Sequence, residues 1–361
     1  MYLGDDYKRF LSPQINRRDF ILGWLSARGV KTAVMPIDGH EHIYVVFPKE
    51  SYSPCFKIKT VIAHYDIFPG SPGANDNTSS VFALMNWAAR LFKSGTQHNV
   101  RLIFTDGEEI GSCGNQAASN ASAAPETSGA AAISGAPATP AALEKLAASK
   151  ISEAPETHAA SKKSEAPANA SAAFKAPASR KKSVISQGAF GLANVFRRLN
   201  ITDDDIYVFD CVGRGTVPVL SRSSVPGNLS GKFKNSFFEL ESRISQVLSS
   251  SSGGKFVSLP VPYSDNAGFL AHGIAAVAVT MLPVEEANEY MFNLVRFPYL
   301  EDFVMNHKIP PEVQKSFLEK MVPETWRKFH TPFDDFSSLT EESFALMEKI
   351  LENLALLKIP C

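Results

Sequence analysis

Two histidines and five acids in this 361-residue chain stand where metal chemistry could use them. His64 and Asp66 close the run "TVIAHYD", and Asp76 lies in the loop "GSPGANDNTSSV". Glu108 and Glu109 follow "RLIFTDG", Asp210 ends "IYVFD", and His330 sits in "RKFHTPFDD". Imidazole nitrogens and carboxylate oxygens together suit hard or borderline divalent metals. Two neighbouring cations need a carboxylate between them to offset their repulsion. A further carboxylate beside a ligand, but off the metal, can serve as a general base. Glu108 and Glu109 can divide those roles if the turn at the strand exit points them apart. Adjacent acids are usually solvated surface. Three apolar runs that each end in such a group, with an acid-bearing loop and a late histidine, ask for a common cause.

Those groups need a scaffold that brings strand ends together, and the flanking sequence supplies one. Phe20 to Ala27 has a helical pattern, and "KTAVMPIDGHEHIYVVF" is two strands around an Asp38-Gly39 hairpin turn. "FKIKTVIAHYD", "VRLIFTD", "DIYVFD" and "IAAVAVTML" are buried strands. Between and after them, "SSVFALMNWAARLFKS", "GAFGLANVFRRLN", "SFFELESRISQVLSS" and "TEESFALMEKILENLALL" are helices, the last with Thr340 as its cap. Strands alternating with helices predict an α/β domain, its sheet covered on both faces. In such sheets functional groups gather beyond the carboxyl ends of the strands.

One segment departs from this pattern. From Ala117 to Ser186 the chain is dominated by Ala, Ser, Pro and Lys, and repeats "APET" and "SEAP". Such a composition buries too little apolar surface to offset chain entropy of about 1–2 kcal/mol per residue, so it is expected to be a disordered insertion. The domain is then 1–116 together with 187–361. Elsewhere the bulk numbers exclude more than they suggest. With 36 Lys+Arg against 37 Asp+Glu there is no basic field for nucleic acid. No apolar run approaches the roughly 18 residues of a membrane span, and "MYLGDDYKRFLSPQ" does not read as a secretory signal. Cys55, Cys113, Cys211 and Cys361 show no CxxC spacing, so reduced thiols in the cytoplasm are expected.

Taken in order, the motifs resemble the cocatalytic zinc aminopeptidases, metallopeptidase family twenty-eight, typified by bacterial leucyl aminopeptidases. That family shows His-x-Asp after a strand, a Gly-Ala-x-Asp-Asn loop, a Glu-Glu pair, a later acid, and a final His-Thr-x-x-Asp. Here they stand as "HYD", "GANDN", "GEEIGSCG", "VFDC" and "FHTPFDD", and "YSDNAGFLAHGIAAVAV" resembles a further family segment. The resemblance implies a zinc-exopeptidase fold with two zinc ions per chain and peptide substrates. It places His64 and Asp210 on one ion, Glu109 and His330 on the other, and Asp76 between them. It makes Glu108 the general base and Asp66 the acid that orients His64, a support that metal-bound imidazoles usually need. In that family the bond after the bridging Asp is often cis, so a cis Asp76-Asn77 bond is expected.

Other readings compete for some of these residues. Asp76 alone reads as a helix N-cap in a loop rich in capping residues, and Asp210 as a structural partner of Arg214. Asp265 reads equally as a turn acid or a pocket contact. His272 reads as structural, Asp334 and Asp335 as shaping the loop after His330, and Cys113 as a small buried residue. Thr78, Ser79 and Ser80 replace the family's usual Ser-Gly after Asp-Asn. Glutaminyl cyclases resemble the same family, share "DGEE" and a similar His-Thr ending, and use one zinc to close an N-terminal glutamine into a ring. A binding scaffold with a relic site is the third reading.

Overall fold

In the computed structural model, Asp38 and Gly39 both take positive φ, 50° and 90°, the backbone that a two-residue hairpin turn requires. They join β1 (Lys31–Ile37) to β2 (His40–Val46). The structure describes residues 3–109, 187–223 and 230–361. The segment 117–186 and Cys113 therefore lie outside the described residues. Among the described residues, the helices that pack on the sheet start with α1 (Asp5–Phe10) and α2 (Arg17–Ser26). Next come β3 (Lys59–His64), α3 (Ser80–Ser94), β4 (Val100–Thr105), α4 (Gly188–Arg198) and β5 (Asp205–Phe209). They are followed by β6 (Val217–Ser221), α5 (Gly231–Ser252), β7 (Val257–Leu259), α6 (Asn266–Ala271) and β8 (Ala276–Leu282). The chain continues through α7 (Val284–Arg296), α8 (Tyr299–Asn306), α9 (Lys315–Met321), α10 (Glu324–Arg327) and α11 (Glu341–Leu356).

Among the described residues, eight strands form one mixed sheet in the order β1-β2-β4-β3-β5-β8-β6-β7. Its centre, β4-β3-β5-β8, is parallel throughout. Every residue of those four strands is buried, which explains why they read as continuous apolar runs without alternation. One apolar core lies between the sheet and α1, α2, α3, α5 and α11. A second lies on the opposite face under α4 and α6. A third joins β6 and β7 to α7 through α10. The expected two-sided α/β architecture is therefore present. No helix among the described residues is long and apolar enough to cross a membrane.

Parallel pairing puts the carboxyl ends of β3, β4 and β5 at one edge, with β3 in the middle. His64 is the last residue of β3, the Glu pair lies just past β4, and Asp210 follows β5. On α2, the Asn16 side chain accepts the Asp19 N–H at 3.0 Å and caps the helix. Asn16→Ala should cost about 1 kcal/mol, read as a lower urea midpoint with an unchanged m value. Thr340 departs from expectation. It occupies the N-cap position of α11, but its hydroxyl accepts no backbone N–H. It donates instead to Ser343 Oγ at 3.1 Å, and Ser343 Oγ donates back to the Thr340 carbonyl at 2.6 Å.

Candidate active site

The strand ends bring the anticipated residues together. His64 is 1% exposed at the end of β3, and its Nε2 faces Asp76 Oδ1 at 3.3 Å and Asp210 Oδ1 at 3.6 Å. The other oxygen of Asp76 faces the other histidine: Oδ2 lies 3.6 Å from His330 Nε2. That same nitrogen is 2.9 Å from Glu109 Oε2. Among the described residues three groups of one imidazole and two carboxylates result, His64-Asp76-Asp210, Asp76-Glu109-His330 and His64-Glu108-Glu109, and Asp76 belongs to the first two. Glu108 also lies within ligand range of His64 and Glu109.

The loop carrying Asp76 is fixed on three sides. Asp334 accepts the backbone N–H groups of Asn75 at 2.8 Å and Asp76 at 3.0 Å. Asn75 Oδ1 accepts from Gly213 N at 2.8 Å, and Asn77 Oδ1 accepts from Cys211 N at 3.1 Å. These bonds tie the loop to the segment after β5, which explains its run of Asn residues. The Asp76-Asn77 peptide bond is cis, as expected. The hydroxyls that depart from the family pattern have partners: Ser79 Oγ donates to Asn75 O at 2.7 Å and accepts Val212 N at 3.0 Å. Thr78 Oγ1 accepts from Arg17 Nη2.

Asp66 serves two neighbours. Its Oδ1 lies 3.4 Å from His64 Nδ1, and its carboxylate accepts the backbone N–H groups of Glu108 at 3.3 Å and Glu109 at 2.9 Å. It thereby holds the β4 exit loop against the His64 ring. Gly107 is required there: its φ is +83°, and a Cβ would stand 2.2 Å from His40 Nδ1. The turn separates the two glutamates. Glu108 lines a cavity of about 410 Å³, whereas Glu109 is 2% exposed and faces His330. Phe68 stacks on the His330 ring, with centroids 4.5 Å apart and planes 13° apart.

So many acids in one dry place disturb each other's protonation. Burial, with Glu109 and Asp210 nearby, holds the Glu108 carboxyl well above the ordinary range. Burial and Asp76 push Glu109 up to about 7. Burial opposes charge on His64, yet the combined pull of Asp210, Asp66 and Asp76 raises its basicity well above that of free imidazole. His64 Nε2 and Glu109 Oε1 are both buried without a hydrogen-bond partner. Unpaired polar atoms at this depth are costly. They face a cluster of imidazoles and carboxylates, the donor chemistry of a zinc site, so the residues present fit that metal.

The competing readings separate cleanly. Arg214 pairs with Glu286 at 2.8 Å. Asp265 is fully buried, accepts from Thr105 Oγ1, and takes no part in lining the cavity. His272 Nδ1 lies 2.7 Å from the Gly268 carbonyl, a helix-end contact. Asp335 accepts from Ser337 N at 2.8 Å and shapes the loop after His330.

Two residues near the site went unread in the sequence. Arg17, 9% exposed, donates from Nη1 to Tyr65 O at 3.0 Å and Asp66 O at 3.5 Å. Its guanidinium stacks on Phe10 at 4.5 Å, a buried cation behind the acids. The available signal was an arginine in a first helical turn, where the helix dipole disfavours it. The second is Gln187, whose Nε2 donates to Glu108 Oε1 at 2.9 Å. Tyr263, Met305, Trp326 and Phe329 wall the cavity from the part of the chain between β7 and His330.

Residues 49–173 match the family model described as Peptidase family M28. That span includes His64, Asp66, Asp76, Glu108 and Glu109, with Asp210 and His330 beyond it. Over those residues the chain is similar to peptidase family M28. No curated protein matches the sequence. Two structures of the Legionella pneumophila aminopeptidase LapA align with this chain at 11% identity, covering 98% of it and 70% of LapA, with TM-scores of 0.50 and 0.51. At that identity the likeness is one of fold. A glutaminyl cyclase from Porphyromonas gingivalis aligns at 13% identity over 98% of this chain and 97% of the cyclase, with a TM-score of 0.48.

Proposed function

We propose that this chain is a metallopeptidase of family M28, an aminopeptidase that would take two zinc ions, one held by His64 and Asp210, the other by Glu109 and His330, and both by Asp76. The observation that carries the reading is the divided carboxylate of Asp76, with one oxygen toward each histidine. When bound, zinc would supply Lewis acidity toward a water and toward the scissile carbonyl. Glu108, facing the cavity, takes the proton of the attacking water at its carboxylate and returns it to the leaving amine. Asp66 keeps the His64 ring in register and anchors the loop that presents Glu108. The apolar wall of Tyr263, Met305, Trp326 and Phe329 excludes water around the substrate's first residue.

A peptide library incubated with the zinc-loaded protein and followed by mass spectrometry tests this reading. Loss of single N-terminal residues is the expected result. Loss of ammonia from peptides beginning with glutamine, with the chain length unchanged, would make the protein a cyclase instead. No change in any peptide, with metal bound, would favour the scaffold.

The low-complexity segment 117–186 holds none of the residues assigned to metal or proton transfer here. Joining Gln116 to Gln187 through a short Gly/Ser linker should leave a soluble protein with a melting temperature within a few degrees of the parent. Gly188 N donates to Gly107 O at 3.0 Å, so the described residues before and after the segment already lie side by side. Loss of cooperative unfolding would show instead that the segment packs on the domain.

A further inference from the structure

Gln187 is the residue at which the described chain resumes, and it stands at the N-cap of α4. Its side chain does not cap that helix. It reaches the β4 exit loop, where Nε2 donates to Glu108 Oε1 at 2.9 Å and lies 3.5 Å from the Glu108 carbonyl oxygen. Both side chains line the same cavity. The approach is built into the backbone. Gly188 N donates to Gly107 O at 3.0 Å, and a Cβ on Gly188 would stand 1.8 Å from the Asp106 carbonyl oxygen. Only glycine lets the returning chain lie this close to the loop.

We propose that Gln187 is a positioning residue for the general base: its amide holds Glu108 Oε1, fixes the carboxylate's rotamer, and leaves Oε2 as the oxygen that handles the proton. This rests on the reading of Glu108 as the base. A free glutamate side chain has three rotatable bonds, and a base must stay within hydrogen-bond reach of the proton it takes. Asp66 fixes only the backbone of Glu108. Among the described residues, Gln187 is the partner that holds its side chain. The amide donates to the carboxylate without adding charge to a site already crowded with acids. A glutamate of the same shape at position 187 would present an acceptor to an acceptor.

The test uses the full-length, zinc-loaded protein and steady-state release of an N-terminal residue from a dipeptide. Gln187→Ala should lower kcat about 10–100-fold, the usual cost of losing an outer support. KM and zinc per chain should stay unchanged. Gln187→Glu, which keeps the shape and removes the donor, should lose at least as much. In the Glu108→Gln background, Gln187→Ala should add less than about twofold, because the group it positions no longer acts as a base. A kcat within twofold of the parent for both single variants would overturn the proposal. So would lost zinc, or full additivity with Glu108→Gln, since either means that Gln187 supports something other than the base. A parent protein that releases no residue fails the aminopeptidase reading, which is a different outcome.

Discussion

Glu108→Gln should retain zinc and substrate binding while turnover falls about 10²–10⁴-fold, the usual contribution of a positioned general base. The substitution keeps the side chain's shape and its place in the cavity wall, and removes only the ability to accept a proton. Gln187 remains close enough to hydrogen-bond the new amide, so the loop should stay in place. The measurement pairs zinc analysis with kcat and KM for a dipeptide. Glu108 lies within ligand range of His64 and Glu109, so the alternative outcome has a clear meaning. If Glu108→Gln loses metal while Glu109→Gln keeps it, the two glutamates have exchanged roles.

Asp76→Ala should lose metal outright. Asp76 is shared by the His64-Asp76-Asp210 and Asp76-Glu109-His330 groups, and its removal leaves each of these with one imidazole and one carboxylate. It also removes the negative charge that would stand between two cations, so both sites weaken together. The expected result is a folded protein with less than one zinc per chain after dialysis and no measurable turnover. The fold should persist because the loop is fastened by backbone groups, Asn75 N and Asp76 N on Asp334, that the substitution leaves alone. Glu109→Gln should show a milder form of the same defect, with weaker zinc binding at one site. Full zinc retention by Asp76→Ala would remove the bridge from the account.

The parts of the site legible in the sequence share a physical cause. β3, β4 and β5 are buried on both faces, so they appear as apolar runs. A charged group at the end of such a run stands out against them. The Asn-rich loop was visible as a turn, but its purpose was not. Asn75 and Asn77 bind backbone groups more than 130 positions away, a pairing that no local pattern reveals. Arg17 and Gln187 escaped for the same reason, since each is an ordinary polar residue until the fold sets it beside Tyr65 or Glu108. The cavity wall was harder still. β6 and β7 have five and three residues, too short for a periodicity to declare itself. Helices α7 to α10 bury their apolar residues in a separate small core, giving no hint that Met305 and Trp326 also face the active site. Thr340 is legible in the sequence as the residue before α11. Its bonding to Ser343 instead of the backbone depends on rotamers that sequence does not carry.

If the Asp76 carboxylate joins two metal sites, zinc stoichiometry reports it directly. Elemental analysis of the dialysed, zinc-loaded protein should give two zinc ions per chain. One zinc per chain, unchanged at higher loading concentrations, would contradict the account.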